Sequence, residues 1–255
     1  MQDIKDKLIV ALDVHTLKEA ERFVKILVPA GVRLFKIGSH LFTAYGPETV
    51  KMVGKRGGKV FLDLKFHDIP NTVQNACYTS TGTGSVITFA SAYSYITSLL
   101  AQNVKNAVQY PVFMLTVHAM AGIETLRNAK KGAEEKAKEL HIPRPLIVGV
   151  TVLTSENLGG DTLRVVLERA RNVKESGLDG VVCSAQEARA VREAIGKDFI
   201  IVTPGIRAKG ADAGDQKRIA TAQDALAAGA NYIVVGRPIL GAKDPVAAIK
   251  NIIKE

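Results

Sequence analysis

The chain has 255 residues, of which 47% are hydrophobic and 23% are charged, and its formal net charge is +9. This length suits one large domain, and the composition is that of a soluble globular protein. Basic residues are spread through helix-like segments, aromatic residues make up only 5% and Trp is absent. Binding to nucleic acid or to a membrane is therefore not expected, and a small anionic ligand is the favoured partner class.

The first residues and the cysteines predict a cytoplasmic protein. Met1 to Lys7 is charged, and the apolar run that follows it is too short for a signal peptide. Cys77 and Cys183 show no metal-ligand spacing, and we expect two reduced thiols.

Short apolar runs rich in Val and Ile alternate with amphipathic segments along the whole chain. The predicted strands are Leu8–Leu12, Arg33–Ile37, Val60–Leu64, Val112–Val117, Leu146–Leu153, Gly180–Cys183, Phe199–Thr203 and Tyr232–Val235. The predicted helices are Leu17–Leu27, Leu41–Val53, Ile123–Leu140, Leu163–Ser176, Ala185–Ile195, Ala220–Ala228 and Val246–Ile253. Continuous apolar strands are typical of parallel sheets, and eight βα units predict a single-domain (β/α)8 barrel over residues 1–255. A doubly wound open sheet is the alternative.

The third βα connection is predicted to be enlarged. It runs from Val73 to Pro111, and no charged residue lies between Asp68 and Lys105. We predict an insertion at residues 83–110, mainly helical and on the outside of the barrel. Its hydroxyl content is too high for a membrane span.

Polar and charged residues follow most of the predicted strands, at the end of a barrel where active sites form. They are Asp13, Lys36, Asp63 with Lys65, His118, Thr154, Ser184, Arg207 and Arg237. The row that begins at Asp63 continues to Thr72 and reads DLKFHDIPNT. Two carboxylates and an ammonium so close together are costly to bury unless they compensate one another, so this row is the first candidate for catalysis. The alternative is a solvated loop with incidental charges.

The seventh and eighth strand ends both combine Gly with Arg, in Pro204–Arg207 and in Gly236-Arg237. Barrels often bind phosphate with the loops after these strands, and arginine forks onto two phosphate oxygens. Ala208–Gln216 is predicted to be a mobile loop that closes over the phosphate. The alternatives are arginines paired with surface carboxylates and a metal site built from His118 and Asp63.

These motifs resemble the orotidine 5′-phosphate decarboxylase family over nearly the whole chain. The resemblance rests on Asp63–Thr72, Leu12-Asp13, Phe35–Gly38, Val150–Ser155, Leu178–Ser184, Thr203–Arg207, Ala213–Gln216 and Gly236–Pro238. It implies a (β/α)8 barrel that converts orotidine 5′-monophosphate to uridine 5′-monophosphate in pyrimidine synthesis, without a metal or other cofactor.

The resemblance also implies catalytic roles. Lys65 protonates ring carbon 6 as carbon dioxide leaves, and Asp63 and Lys36 hold Lys65 in place. Asp68 completes the charged row from the partner subunit of a homodimer, where Ile69 and Thr72 also cross the interface.

The remaining implied roles concern substrate binding. Asp13 and Lys36 meet the ribose hydroxyls, Asp63 also contacts the substrate, and Thr154 lies near the pyrimidine. The implied phosphate ligands are Arg207, Gln216, Gly236 and Arg237. The insertion at residues 83–110 departs from the family pattern and follows the expected interface residues directly.

Two other functions are open at this point. Magnesium-dependent keto-gulonate phosphate decarboxylases and hexulose phosphate synthases share the Asp-x-Lys-x-x-Asp row, but they have an acidic residue where this chain has Lys36. A lysine there leaves fewer oxygen ligands for a hard cation. A binding protein on an inactive barrel would lack Lys65, Asp63 or Asp68, and all three are present.

Overall fold

The structure is a computed structural model that describes residues 4–68, 112–156, 158–207 and 218–254. Several expectations fall outside these ranges and are not tested by it. They concern Ile69, Thr72, Cys77, Gln216 and the insertion at residues 83–110. Within the described ranges, no helix is long and apolar enough to span a membrane.

Eight parallel strands pair in chain order and close into a barrel, with the last strand beside the first. They are β1 (Leu8–Ala11), β2 (Leu34–Gly38), β3 (Lys59–Phe66), β4 (Val112–His118), β5 (Leu146–Val150), β6 (Gly180–Val182), β7 (Ile200–Thr203) and β8 (Tyr232–Val235). This closed topology confirms the predicted (β/α)8 barrel and excludes the open sheet.

Helices connect the strands in the described part of the chain. They are α1 (Leu17–Leu27), α2 (Ser39–Tyr45), α3 (Glu48–Lys55), α4 (Ile123–Glu139), α5 (Thr162–Glu175), α6 (Ala185–Ile195), α7 (Ala222–Ala227), α8 (Arg237–Leu240) and α9 (Pro245–Lys254). Short 3₁₀ turns occupy Ile4–Lys7, Ala119–Ala121 and Gly159–Asp161.

Local sequence signals explain where these helices begin and which face they bury. The Thr16 hydroxyl accepts a hydrogen bond from the backbone of Glu19 and starts α1. Ser184 and Glu187 form a capping box that starts α6. The buried residues of α1, which are Ala20, Phe23, Val24 and Leu27, recur at helical spacing and pack on the barrel.

Two apolar layers follow from the alternation of side chains along the strands. One set of buried residues faces the barrel interior, and the other packs against the helices. The interior set is Ile9, Ala11, Leu34, Phe61, Met114, Val148, Val202 and Val234. Because both faces of every strand are covered, the strands read as continuous apolar runs rather than alternating ones.

The interior rows change from apolar to polar at the carboxyl end of the strands. The row on β1 continues from Ala11 to Asp13, and the row on β3 continues from Phe61 to Asp63. The polar side chains of different strands therefore meet at one mouth of the barrel.

Two predicted elements are corrected by the structure. The helix predicted over Leu41–Val53 is two helices, because Gly46 has φ of 55° and Pro47 lacks the N–H that would continue α2. The strand predicted to reach Leu153 ends at Val150, since the backbone and hydroxyl of Thr151 both donate to the Val182 carbonyl.

Gly180→Ala is expected to destabilise the barrel. A Cβ at this position would lie 2.2 Å from the Ile200 carbonyl oxygen, so β6 and β7 would have to move apart. We expect a loss of about 2 kcal/mol or more, seen as a fall of about 4–8 °C in the thermal midpoint. The control is Gly160→Ala, where a Cβ meets no atom within 4 Å. Equal midpoints for the two variants would contradict the prediction.

Candidate active site

A cavity of about 240 Å³ opens at the carboxyl ends of the strands. Its walls contain the predicted site residues Asp13, Lys36, Asp63, Lys65, Thr154, Arg207, Gly236 and Arg237. Apolar side chains of the barrel interior, including Ala11, Phe61 and Val234, form part of the same lining. The structure thus brings residues from both sequence motifs, the charged row and the two Gly-Arg strand ends, into one site.

Of the other predicted site residues, Asp68 alone lies within the described ranges. Asp68 is buried but does not line the cavity. Ile69, Thr72 and Gln216 lie outside the described residues, as stated above.

Lys36 lies between two carboxylates that belong to neighbouring strands. Its Nζ is 3.1 Å from Asp13 Oδ1 and 3.5 Å from Asp63 Oδ2. Burial lowers the pKa of the Lys36 ammonium, but the charges of Asp63 and Asp13 outweigh burial and raise this pKa above its ordinary value. Gly38 leaves room for the pair, since a Cβ there would lie 3.2 Å from Lys36 Nζ.

Asp63 joins Lys36 to Lys65 through the same carboxylate oxygen. Lys65 Nζ donates to Asp63 Oδ2 over 2.8 Å, and the Asp63 side chain is only 12% exposed. Burial alone would raise the pKa of the Asp63 carboxyl, but the charges of Lys36 and Lys65 and its hydrogen bonds hold the pKa below the ordinary value. The result is a row of alternating acidic and basic side chains, Asp13–Lys36–Asp63–Lys65, at the carboxyl ends of β1, β2 and β3.

Lys65 has an unusual backbone. In a regular extended segment Asp63 and Lys65 would share one face, but the φ of Lys65 is 51°, in the left-handed region. The ladder to β4 shifts register between Leu62 and Phe66, so residues 63–65 lie opposite Thr116 alone. A bulge of this kind redirects a side chain, and here the contact between Lys65 and Asp63 arises from the bulge rather than from strand alternation.

Thr116 is a site residue that sequence reasoning missed. Its side chain is completely buried on β4. The hydroxyl accepts a hydrogen bond from the Lys65 backbone N–H over 2.8 Å and donates to Asp63 Oδ1 over 3.1 Å. Within the apolar run of β4 a threonine is an ordinary β-branched strand residue, so nothing in the sequence distinguished it.

The cavity wall also carries the two arginines predicted to bind phosphate. Arg207 is buried, and its guanidinium donates to the Ile206 carbonyl over 2.8 Å. Gly205 has φ of 78°, which turns the chain sharply just before this pair. Arg237 follows Gly236, whose Cα faces Ala11 and Asp13.

The chain on both sides of residues 208–217 is tied to the barrel. The Arg207 N–H donates to the Ala220 carbonyl over 3.0 Å. Arg218 donates to Glu187 over 2.5 Å and to the Leu153 carbonyl over 2.8 Å. Sequence reasoning did not identify Arg218, because its partner Glu187 is a distant helical residue that has no spacing relation to it.

The remaining groups considered in the sequence are His118, as a possible metal ligand, and the thiol of Cys183. The rings of His118 and His67 are tilted by 52° with their centroids 5.6 Å apart, and burial together with the charges of His67 and Lys65 lowers the pKa of His118. In the described ranges no cluster of His, Cys, Asp and Glu is placed to hold a metal ion. Cys183 is a free buried thiol, and burial raises its pKa well above the ordinary value.

Comparison with known proteins gives a consistent result. The model of the orotidine 5′-phosphate decarboxylase / HUMPS family matches residues 6–252. A relative from Moorella thermoacetica, named orotidine 5′-phosphate decarboxylase, is 45% identical over 98% of this chain and 92% of its own length. A relative of the same name from Vibrio parahaemolyticus is 42% identical over 98% of this chain and 97% of its own length.

A solved structure agrees with the sequence relatives. The crystal structure of orotidine 5′-phosphate decarboxylase from Lactobacillus acidophilus is 33% identical and superposes with a TM-score of 0.71, covering 97% of each chain. The match of the family model over nearly all of the sequence, together with these relatives, confirms the resemblance seen in the motifs. The chain belongs to the orotidine 5′-phosphate decarboxylase / HUMPS family.

Proposed function

We propose that this protein is a carboxy-lyase that converts orotidine 5′-monophosphate to uridine 5′-monophosphate in de novo pyrimidine synthesis. The observation that carries the proposal is the Lys65 ammonium, which lies 2.8 Å from a buried carboxylate in the wall of a cavity that two arginines also line. The relatives that bear this enzyme name extend over the same length of chain.

The proposed chemical step uses Lys65 as the proton donor. The bond between ring carbon 6 and the carboxylate breaks, its electron pair stays on carbon 6, and carbon dioxide leaves. Lys65 Nζ then gives a proton to carbon 6 and becomes a neutral amine, which solvent protonates again after product release. An ammonium that is already in place beside the developing carbanion stabilises it before the proton moves.

The energetic demand explains why the charges are fixed in advance. A carbanion in the plane of the ring is not delocalised, so the site must lower the barrier by about 20 kcal/mol. Charges on neighbouring strands cost no reorganisation when the reaction occurs. Asp63 fulfils this role because it contacts the Lys65 ammonium directly, and Lys36 supports it by contacting the same carboxylate oxygen.

Substrate binding is proposed to involve the remaining cavity residues. Asp13 and Lys36 meet the ribose hydroxyls, Asp63 contacts the reacting ring, and Thr154 lies near the pyrimidine. Arg207, Gly236 and Arg237 hold the phosphate together with Gln216. Phosphate contacts remote from the reacting carbon convert binding energy into catalysis.

The position of Lys36 favours the decarboxylase over the magnesium-dependent members of the family. A hard cation would use the oxygens of Asp13 and Asp63, but the Lys36 ammonium occupies the space between them. We therefore propose that the reaction needs no metal or other cofactor. The direct test mixes the protein with orotidine 5′-monophosphate, with and without a strong chelator, and follows the fall of substrate absorbance. Loss of turnover in chelator would refute the metal-free reaction, and absence of turnover in both would refute the proposed function.

A homodimer is proposed to complete the site. Asp68 does not line the cavity of its own chain, and we propose that it serves the site of the partner subunit. Ile69 and Thr72 are proposed to cross the same interface.

Lys65→Ala is expected to abolish turnover while uridine 5′-monophosphate still binds, because the phosphate and ribose contacts are made by other residues. Steady-state rates and calorimetric titration measure the two effects. The control is Lys59→Ala, an exposed lysine at the opposite end of β3, which should leave the rate unchanged. Turnover within tenfold of the parent would remove Lys65 from the mechanism.

Arg237→Ala is expected to weaken binding of phosphorylated ligands by about 1.5–3 kcal/mol and to leave nucleosides nearly unaffected. The affinities of uridine 5′-monophosphate and uridine, measured side by side, separate the two cases. Arg189→Ala, an exposed arginine of α6, is the control. Equal losses for both ligands would contradict the phosphate assignment.

The shared site predicts complementation between inactive variants. Lys65→Ala and Asp68→Ala proteins, unfolded together and refolded, should regain activity, because one site of a mixed dimer carries neither defect. Random pairing restores about a quarter of all sites. Each variant refolded alone is the control. No recovery from a sample shown to contain mixed dimers would place Asp68 in the site of its own chain.

A further inference from the structure

Thr116 faces the most irregular part of the barrel. The ladder pairs residue 62 with 115 and residue 66 with 117, so residues 63–65 of β3 have Thr116 as their sole counterpart on β4. A bulge of this size removes the strand partners of the backbone groups inside it. The Lys65 N–H is one of these groups, and buried N–H groups must find an acceptor.

The Thr116 hydroxyl satisfies both ends of the bulge at once. The hydroxyl accepts a hydrogen bond from the Lys65 N–H over 2.8 Å and donates one to Asp63 Oδ1 over 3.1 Å. The other oxygen of Asp63, Oδ2, faces the Lys65 ammonium at 2.8 Å. One hydroxyl is therefore bonded to the backbone of the lysine and to the carboxylate that orients the end of the same lysine.

Both hydrogen bonds act on features that would otherwise relax. The left-handed φ of Lys65 is unfavourable for a residue with a Cβ and persists only where surrounding contacts impose it. The Asp63 carboxylate is free to rotate about its side-chain bonds unless each oxygen has a fixed partner. Thr116 supplies the fixed partner of Oδ1 and the acceptor that holds the Lys65 backbone.

We infer that Thr116 is a positioning residue, which sets the location of the Lys65 ammonium at the reacting carbon through the bulge and through Asp63. Thr116 is fully buried and is not part of the cavity wall. It acts through Lys65 and Asp63 and does not touch the substrate. The expected effect on kcat rests on the proposed decarboxylation. The expected effect on the hydrogen bond at the Lys65 backbone does not depend on the substrate.

The kinetic test compares Thr116→Val with Thr116→Ser. Valine keeps the shape and removes the hydroxyl, whereas serine keeps the hydroxyl. We expect Thr116→Val to lower kcat about 100-fold, as a displacement of about 1 Å would, while the affinity for uridine 5′-monophosphate stays within about threefold. Thr116→Ser should keep kcat within about threefold of the parent.

A matched substitution separates positioning from stability. Thr49 is also completely buried, and its hydroxyl donates to the Gly46 carbonyl over 2.7 Å on α3, outside the barrel. Thr49→Val removes a buried hydroxyl in the same way and should lower the thermal midpoint without changing kcat. Should Thr116→Val fail to fold, Thr116→Ala is measured in its place with the same expectation.

A second measurement does not depend on turnover. The Lys65 amide should exchange its hydrogen about tenfold faster in Thr116→Val than in the parent or in Thr116→Ser. The reason is that Thr116→Val removes the acceptor of the Lys65 N–H hydrogen bond, and the net free energy of one such bond corresponds to about that change in rate. Nuclear magnetic resonance of the ligand-free protein reports this exchange. If the parent protein does not decarboxylate orotidine 5′-monophosphate, the proposed function is refuted. The amide exchange then decides the role of Thr116. Unchanged exchange at Lys65, or a Thr116→Val protein with parental kcat, would overturn the inference.

Discussion

The site depends on one carboxylate, that of Asp63, which holds two ammonium groups in a buried setting. Lys36 and Lys65 both approach its Oδ2 atom, and Thr116 binds Oδ1. Buried charges are tolerated only when partners compensate them. Because the partners belong to β2, β3 and β4, the charges can be compensated only when the barrel has closed in its correct register.

Much of the fold is predictable because it follows from short-range patterns. Continuous apolar runs gave the strands, and helical spacing gave α1 and α6 with their observed bounds. The boundary at Gly46-Pro47 was missed, although a glycine followed by proline is a recognised break. The apolar spacing continues across this break, and it favoured a single helix over Leu41–Val53.

The site was predictable to the extent that its residues lie at strand ends. Asp13, Asp63 and Arg207 are polar residues directly after apolar runs, so their meeting at the barrel mouth follows from the fold alone. Thr116 and Arg218 are different. Their importance lies in partners on other elements, at Lys65 and Glu187, and only the three-dimensional register reveals those contacts.

The bulge in β3 could not be predicted from the sequence either. Alternation along a regular strand would place Asp63 and Lys65 on one face, but their observed contact arises from the bulge. The register shift depends on how β4 pairs with β3, and the long connection between these strands hides that pairing. The left-handed backbone of Lys65 then follows from the pairing and not from any preference of lysine itself.

The pairing of Phe66 with Val117 has a consequence for how the chain tolerates change in length. This pair joins the last residue of β3 to a residue near the end of β4, beyond Asp63, Lys65 and Thr116 in each strand. Length added within the third connection, between positions 73 and 111, lies outside the hydrogen bonds that join Asp63, Lys65 and Thr116. Closing a longer loop costs only a slowly rising entropy. The contacts among these three residues therefore do not depend on the length of the connection, so its length can change without altering them.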